Sequence, residues 1–412
     1  MTSASEQSAS GSGTALRGGA QIAVAVGVMN VATYGFTMLA ARLLGPGAYG
    51  GFAAVMNVLI VISVAALALQ ATAARRIASD HHHVAQIERT VLRTSWTAGL
   101  AIGAALVILS PVLDRLLRLD DLRIAWLVAF SAVFLTVMGG QAGVLQGERR
   151  WAPLAVLYVA TGVPRLVVGT ALLAWRPSEA AAVAAVALTT VAPVVVGWWA
   201  LRGDRAPGPE ATRHAGRSVL RESALNSQAL LAFFALSNLD VVVARNVLDD
   251  HASGLYAAGL ILTKALLFLP QFVVVLLFPD MAAQRRGRPL VAGTVVISAL
   301  GAAGVLACWL LPELALVFVG GDAFAEVGDQ LWSFALLGTV LAVLQLLVYS
   351  VLASDGRASS AWVWLALLVM LAVGSTAETA AGLVTRVVAV DTALLLVLLG
   401  AASRRRSEPA GS

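Results

Sequence analysis

Charge is scarce in this chain, and two residue types are nearly absent. Asp, Glu, Lys and Arg make up 12% of the 412 residues, against an apolar share of 59% and a mean hydropathy of +0.84. A soluble domain carries about 25% charged residues, so a soluble globular class is excluded. The single cysteine, Cys308, excludes a disulfide framework and a cysteine zinc site. Lys264 is the only lysine among 28 basic residues. No phosphate-cradling glycine loop, nucleophile elbow or metal-ligand spacing occurs, so no cofactor and no enzymatic activity are expected. His81, His82 and His83 are consecutive; their side chains diverge on a helix, which points to a solvated face.

What is present is long apolar runs. Twelve of them lie near 18–42, 51–74, 93–113, 122–146, 152–175, 179–201, 219–247, 254–282, 289–312, 327–353, 358–378 and 383–402. A span needs about 20 residues at about 1.5 Å rise each, and these reach or approach that length. The expected fold is an all-α polytopic membrane protein of twelve transmembrane helices. Turn residues such as Gly45-Pro46-Gly47 and Asp355-Gly356 punctuate short connections.

The net charge of +5 and a pI near 10.0 would point to nucleic acid in a soluble protein. Here the cations sit in short loops, where they set orientation, and no nucleic-acid partner is expected. With the N-terminus inside, 19 arginines fall on the cytoplasmic side and seven outside, leaving Arg165 and Lys264 within the membrane. The reading is a cytoplasmic (inner) membrane protein with both termini cytoplasmic. Residues 1–16, rich in Ser, Gly and Ala, read as a disordered cytoplasmic tail, not a signal peptide. Residues 17–201 form an N-lobe of six spans, 202–217 a cytoplasmic linker, 218–402 a C-lobe of six spans, and 403–412 a basic cytoplasmic tail.

The halves echo each other. Ala41-Arg42 precedes Phe52 as Ala244-Arg245 precedes Tyr256, with offsets of 203 and 204. Such spacing with equal membrane direction implies a parallel repeat. On span seven, at about 100° per residue, Ser223, Asn226, Ser237 and Asp240 share about a third of the circumference. Asn30, Thr33, Tyr34 and Thr37 make a similar stripe on span one, and the offset carries Tyr34 onto Ser237 and Thr37 onto Asp240. Either small polar residues pack helix on helix, or both stripes face a polar cavity.

Charges inside a membrane cost roughly 2.5–3.5 kcal/mol each on insertion scales. Asp240 and Lys264 flank a turn near residue 251 at similar depth, so an ion pair is available. It reads as a structural bridge or as a substrate or cation site. Arg165 follows Gly162 and Pro164 near mid-membrane. Its guanidinium suits a pyrophosphate in fork geometry, or pairs with a carboxylate such as Asp391 or Glu378. Asp391 is a candidate proton or sodium carrier, as is Asp240; alternatively Asp391 satisfies Arg386 or Arg165.

The run Arg42-Leu43-Leu44-Gly45-Pro46, followed by Tyr49-Gly50, resembles the oligosaccharide flippases of the multidrug/oligosaccharidyl-lipid/polysaccharide exporter (MOP) superfamily. Asp240, then Gly254, Tyr256 and Ala258, then Pro270 and Pro279 extend the likeness into the second half. The resemblance implies two six-helix, MATE-like lobes around a central cavity, alternating access, and a polyprenyl-pyrophosphate-linked glycan as cargo. It implies that Arg165, Asp240 and Lys264 line that cavity, joined as candidate substrate contacts by Arg42, Arg245, Tyr34, Asn30 and Asn226.

The expected function is thus a flippase moving a lipid-linked oligosaccharide from the inner to the outer leaflet for surface polysaccharide biosynthesis. Its partners would be that glycan, membrane lipids, and the glycosyltransferases and polymerase of the pathway. The alternative is an ion-coupled small-molecule or multidrug secondary transporter. The loop RRIASDHHHVAQIERTVLR after span two lacks the short glycine-aspartate-arginine signature of twelve-span facilitators. A glycan polymerase would need a large outer loop, and the outer connections here are short.

Overall fold

A computed structural model describes residues 3–119, 121–203, 215–267, 288–352 and 357–407. The described elements are helical in order: α1 (Ser3–Ser79), α2 (Val84–Ile108), α3 (Ser110–Leu117), α4 (Leu122–Gly147), α5 (Trp151–Trp175), α6 (Glu179–Thr189), α7 (Val191–Leu201), α8 (Gly216–Leu236), α9 (Asp240–Val247), α10 (Asp250–Leu267), α11 (Arg288–Leu310), α12 (Pro312–Val319), a 3-10 helix (Asp322–Gln330), α13 (Leu331–Leu352), α14 (Arg357–Gly374) and α15 (Ala380–Ser407). No strand occurs among the described residues. Nine described helical stretches, some joining two successive elements, are long and apolar enough to cross a membrane, and α1 alone contains two of the expected spans. The fold is that of an all-α multi-pass membrane protein, compatible with twelve spans. Large apolar side chains point outward, as lipid demands: Val31 is 74% exposed and Trp175 80%.

Helix α1 holds two spans because its interruption is local. Gly45 takes φ 68°, ψ 174°, a conformation essentially confined to glycine that costs other residues about 1–3 kcal/mol. Pro46 follows, and the first turn of a new helix is where a missing N–H is harmless. At its start the helix extends to Ser3, inside the stretch expected to be disordered. Propagating an existing helix costs little beyond nucleation, so a stretch of Ser, Ala and Gly can continue one already formed. At the other end α15 runs to Ser407, into the expected C-terminal tail. Much of the expected linker, 204–214, lies outside the described residues, as do Pro270, Pro279 and Asp355-Gly356.

The chain forms two compact units. One comprises Met1–Thr37, Ile62–Asp114 and Asp120–Ser227; the other comprises Met38–Val61, Arg115–Leu119 and Gln228–Ser412. Their boundaries fall within helices, so α1 and α8 each contribute to both.

The first unit is packed through small residues. Gly139 and Gly143 of α4 lie against the backbone of α1 at Ala66 and Gln70, and Gly99 of α2 meets Val133 of α4. Close backbone approach of this kind is how helices associate without a hydrophobic drive between them. Leu69, Ala73, Ile77, Ile87, Val91, Val144 and Val219 close one end of this unit into a core. Beside it Arg76 Nε donates to Glu222 at 2.8 Å and Ser223 Oγ to Thr72 Oγ1 at 3.0 Å.

In the second unit α13 lies across α10 and α11. Phe334 covers Gly259, and Gly338 meets the backbone of Thr263. The Gly45-Pro46 turn docks on the start of α10, where Gly254 faces the Pro46 carbonyl. Tyr49, buried, sits between the rings of Phe52 and Phe324 at 6.1 and 6.2 Å.

Candidate functional site

Span seven was expected as one helix over 219–247; instead it breaks at residues 237–239. The reason is a competing side chain. Asn238 Nδ2 donates to the Phe234 carbonyl at 2.7 Å, and the Asn238 backbone N–H turns to Ala235, three residues back, at 3.3 Å. Asn and Ser are residues whose side chains offer the backbone such alternatives. The break matters for the polar stripe, because a constant turn per residue no longer relates Asp240 to Ser223. Asp240 becomes the first residue of α9.

Around this break lies a buried polar cluster, all within the second unit. The ammonium of Lys264, on α10, donates to the Ser237 carbonyl and to Asn238 Oδ1, the latter at 2.9 Å. Asp240 accepts a hydrogen bond from the Tyr256 hydroxyl at 2.7 Å, while its Oδ1 has no hydrogen-bond partner. Asp391 on α15 is 0% exposed, and neither of its oxygens has a hydrogen-bond partner. Asp240 and Asp391 lie within electrostatic range of each other, of Lys264 and of Tyr256. The expected Asp240–Lys264 ion pair is therefore not the arrangement formed. Lys264 lies at the expected depth, but it donates to the Ser237 carbonyl at the helix break and to the Asn238 side chain, and Asp240 accepts from Tyr256.

In the first unit Arg165 sits on α5, 8% exposed. Its Nε has no hydrogen-bond partner, and it forms no ion pair among the described residues. Helix α5 continues through Pro164, so the Ala160 carbonyl loses its intrahelical donor. Gly162 and Gly169 flank Arg165 and pack on Met29 and Phe36 of α1. Asn30 and Tyr34, half-buried, lie between those two contacts in the α1 sequence.

The remaining candidates divide. Arg245 is committed to structure: its guanidinium donates to the carbonyls of Leu117 and Arg118 at 3.1 and 2.7 Å, and to Asp250 Oδ1 at 3.0 Å. Arg42 is exposed and donates to the Val317 carbonyl at 2.6 Å. Arg386 donates to the Val373 carbonyl and to Thr376 Oγ1 at 3.2 and 2.7 Å, which leaves Asp391 to the cluster. The side chain of Asn226 lies outside the described residues. Asn238 was missed by sequence reasoning; the signal was Ser237-Asn238, two helix-interrupting residues directly before an aspartate in an apolar run.

Solved structures share this multi-pass all-α fold. An inward-facing multidrug resistance MATE family transporter of the MOP superfamily matches with TM-score 0.70 at 14% identity, covering 94% of this chain and all of that one (100%). The lipid II flippase MurJ, in an inward closed conformation, matches with TM-score 0.69 at 11% identity, over 93% of this chain and 87% of that one. A MOP superfamily transporter from Pyrococcus furiosus, described by a binding pocket of reversed polarity, matches with TM-score 0.59 at 14% identity over 95% of each chain. The protein belongs to the polysaccharide biosynthesis protein family, whose model matches residues 15–283. A comparison with curated proteins gives no match.

Proposed function

We propose that this protein is a flippase that carries a polyprenyl-(pyro)phosphate-linked oligosaccharide from the inner to the outer leaflet of the cytoplasmic membrane, for surface polysaccharide biosynthesis. The observation that carries the reading is Arg165. A guanidinium buried in a span, with an N–H left without a partner, is a costly feature unless an anion visits it. Phosphate matches its fork of donors. The sugar would travel with the phosphate while the polyprenyl chain stays in the bilayer, and the site would open first to one membrane face and then to the other. Asn30 and Tyr34 would add polar contacts near Arg165 in the same unit. No residue here is asked to make or break a bond, so the protein would act as a carrier and not as an enzyme. Glycosyltransferases would supply the cargo inside and a polymerase would consume it outside. Both termini would lie in the cytoplasm.

The test is flipping of a fluorescent lipid-linked oligosaccharide in proteoliposomes. Arg165→Gln is expected to reduce the rate to that of empty vesicles, with Arg165→Lys intermediate because a point charge replaces a fork. A rate unchanged in Arg165→Gln would end the proposal. The MATE-like fold favours a second reading, transport of small organic cations. Uptake of such a cation, measured beside glycolipid flipping in the same vesicles, separates the two.

A further inference from the structure

The Lys264 ammonium sits where the chemistry of its neighbours would place a free metal cation. Its two hydrogen-bond acceptors are both oxygens. The Ser237 carbonyl is freed by the break between α8 and α9, and Asn238 contributes its amide Oδ1. Asp240 Oδ1 and both oxygens of Asp391 are buried without hydrogen-bond partners, within electrostatic range of the ammonium. Backbone carbonyl at an unwound helix, side-chain amide oxygen and carboxylate form the ligand set by which broken transmembrane helices hold alkali cations. Hard oxygen donors also suit such ions better than they suit soft metals.

We infer that Lys264 is a tethered cation: its ammonium takes the place of an alkali cation on the Ser237 carbonyl and Asn238 Oδ1, balanced by the buried carboxylates of Asp240 and Asp391 nearby, so that the second unit needs no sodium. The inference rests on the reading of the chain as a transporter, because only there does occupancy of such a site bear on coupling. It deepens that reading by naming the site's resident charge. A lysine reaching in from α10 ties that helix to the break, whereas a free ion would come and go. The two carboxylates outnumber the one ammonium, which keeps the site attractive to a cation once the side chain is removed.

The test needs no cargo, so its outcome is independent of whether Arg165 binds a phosphate. The full-length protein is purified and its thermal unfolding followed in NaCl, KCl and choline chloride at one ionic strength. The wild-type midpoint is expected to be the same in all three. Lys264→Ala is expected to have a lowered midpoint in choline and to recover with sodium along a saturable curve. Lys264→Ala combined with Asp240→Asn is expected to lose that recovery. Should Lys264→Ala fail to fold in choline, purification in sodium is expected to restore it. A saturable sodium response in the wild type, or no sodium response and no sodium rescue in Lys264→Ala, would overturn the assignment.

Discussion

The turn between the first two spans gives a graded test of how tightly the second unit is built. A Cβ placed on Gly254 would lie 1.8 Å from the Pro46 carbonyl oxygen, 2.4 Å from its carbon and 2.9 Å from its Cα. All three neighbours are backbone atoms, so no flexible side chain can swing aside. To reach ordinary contact the Gly45-Pro46 turn must move off α10 by more than an ångström. Tyr49 is 2% exposed beside that turn, so the movement would also loosen the Tyr49–Phe324 contact. Overpacking a well-filled site costs about 1–3 kcal/mol, and partial exposure of a ring of this size adds about 1 kcal/mol. Gly254→Ala is thus expected to cost about 2–4 kcal/mol.

Neighbouring glycines supply the scale. At Gly50 a Cβ would meet the Gly254 nitrogen and Ser253 Oγ at 3.1 Å, which asks for shifts of a few tenths of an ångström. Gly50→Ala should cost about 1 kcal/mol, the low end of overpacking. At Gly47 nothing lies within 4 Å, and the residue is helical. Gly47→Ala should be neutral or stabilise by about 0.5–1 kcal/mol, since alanine loses less entropy in a helix. Thermal unfolding of the detergent-solubilised protein, followed by loss of the monodisperse peak on size exclusion, would rank the three. An alanine at 254 tolerated as well as one at 47 would refute the close docking of the turn on α10.

Three further outcomes follow from hydrogen bonds. Tyr256→Phe removes the donor to Asp240 and leaves a buried carboxylate without it, a loss of about 1–3 kcal/mol; adding Asp240→Asn should return part of that, and equal midpoints for Tyr256→Phe and wild type would contradict the bond. Arg245→Ala strips donors from two carbonyls and from Asp250, so about 3 kcal/mol is expected, and Arg245→Lys should not rescue it because a lysine lacks the fork. Glu222→Gln should cost only about 1 kcal/mol, since its partners Arg75 and Arg76 are 57% and 9% exposed and Glu222 30%; that small loss should shrink in high salt, and insensitivity to salt would count against an ion pair.

The spans were legible because lipid leaves few options: apolar runs must be helices, and glycine-proline pairs must lie between them. The motif at Arg42 to Gly50 marked the superfamily, and the fold and family agree. Depth was legible too, since Asp240 and Lys264 lie at similar distances from a turn and Lys264 does reach residues 237 and 238. What sequence periodicity did not show was the interruption of span seven, because a constant rotation per residue presumes an unbroken helix. Nor did charge alone reveal partners. Opposite signs at equal depth invited an ion pair, but a carbonyl released by a broken helix competes for an ammonium as strongly as a carboxylate already bound by a tyrosine. Arg245 matches Arg42 in its position by the turn, and the Leu117 and Arg118 carbonyls that take its donors are partners no sequence pattern announces.

The break and the lysine are therefore one device, and their interdependence can be measured. A carbonyl in a membrane interior without a donor costs several kcal/mol, so the Ser237 oxygen needs Lys264; an ammonium there needs oxygens, so Lys264 needs the break. Asn238 supports both sides, taking the Phe234 carbonyl with its amide nitrogen and offering its amide oxygen to Lys264. Asn238→Leu should let α8 and α9 approach a continuous helix, a gain of roughly 0.5 kcal/mol in propensity, while stranding the ammonium at a cost of about 1–3 kcal/mol. Lys264→Met should be costly alone, because it strands the broken backbone. The two together should cost less than the sum of the singles, by about 1–3 kcal/mol as expected of residues in one network. Thermal midpoints of the four proteins, compared at one ionic strength, give that coupling directly. Additive losses would mean that the helix breaks for its own reasons and that Lys264 merely finds it.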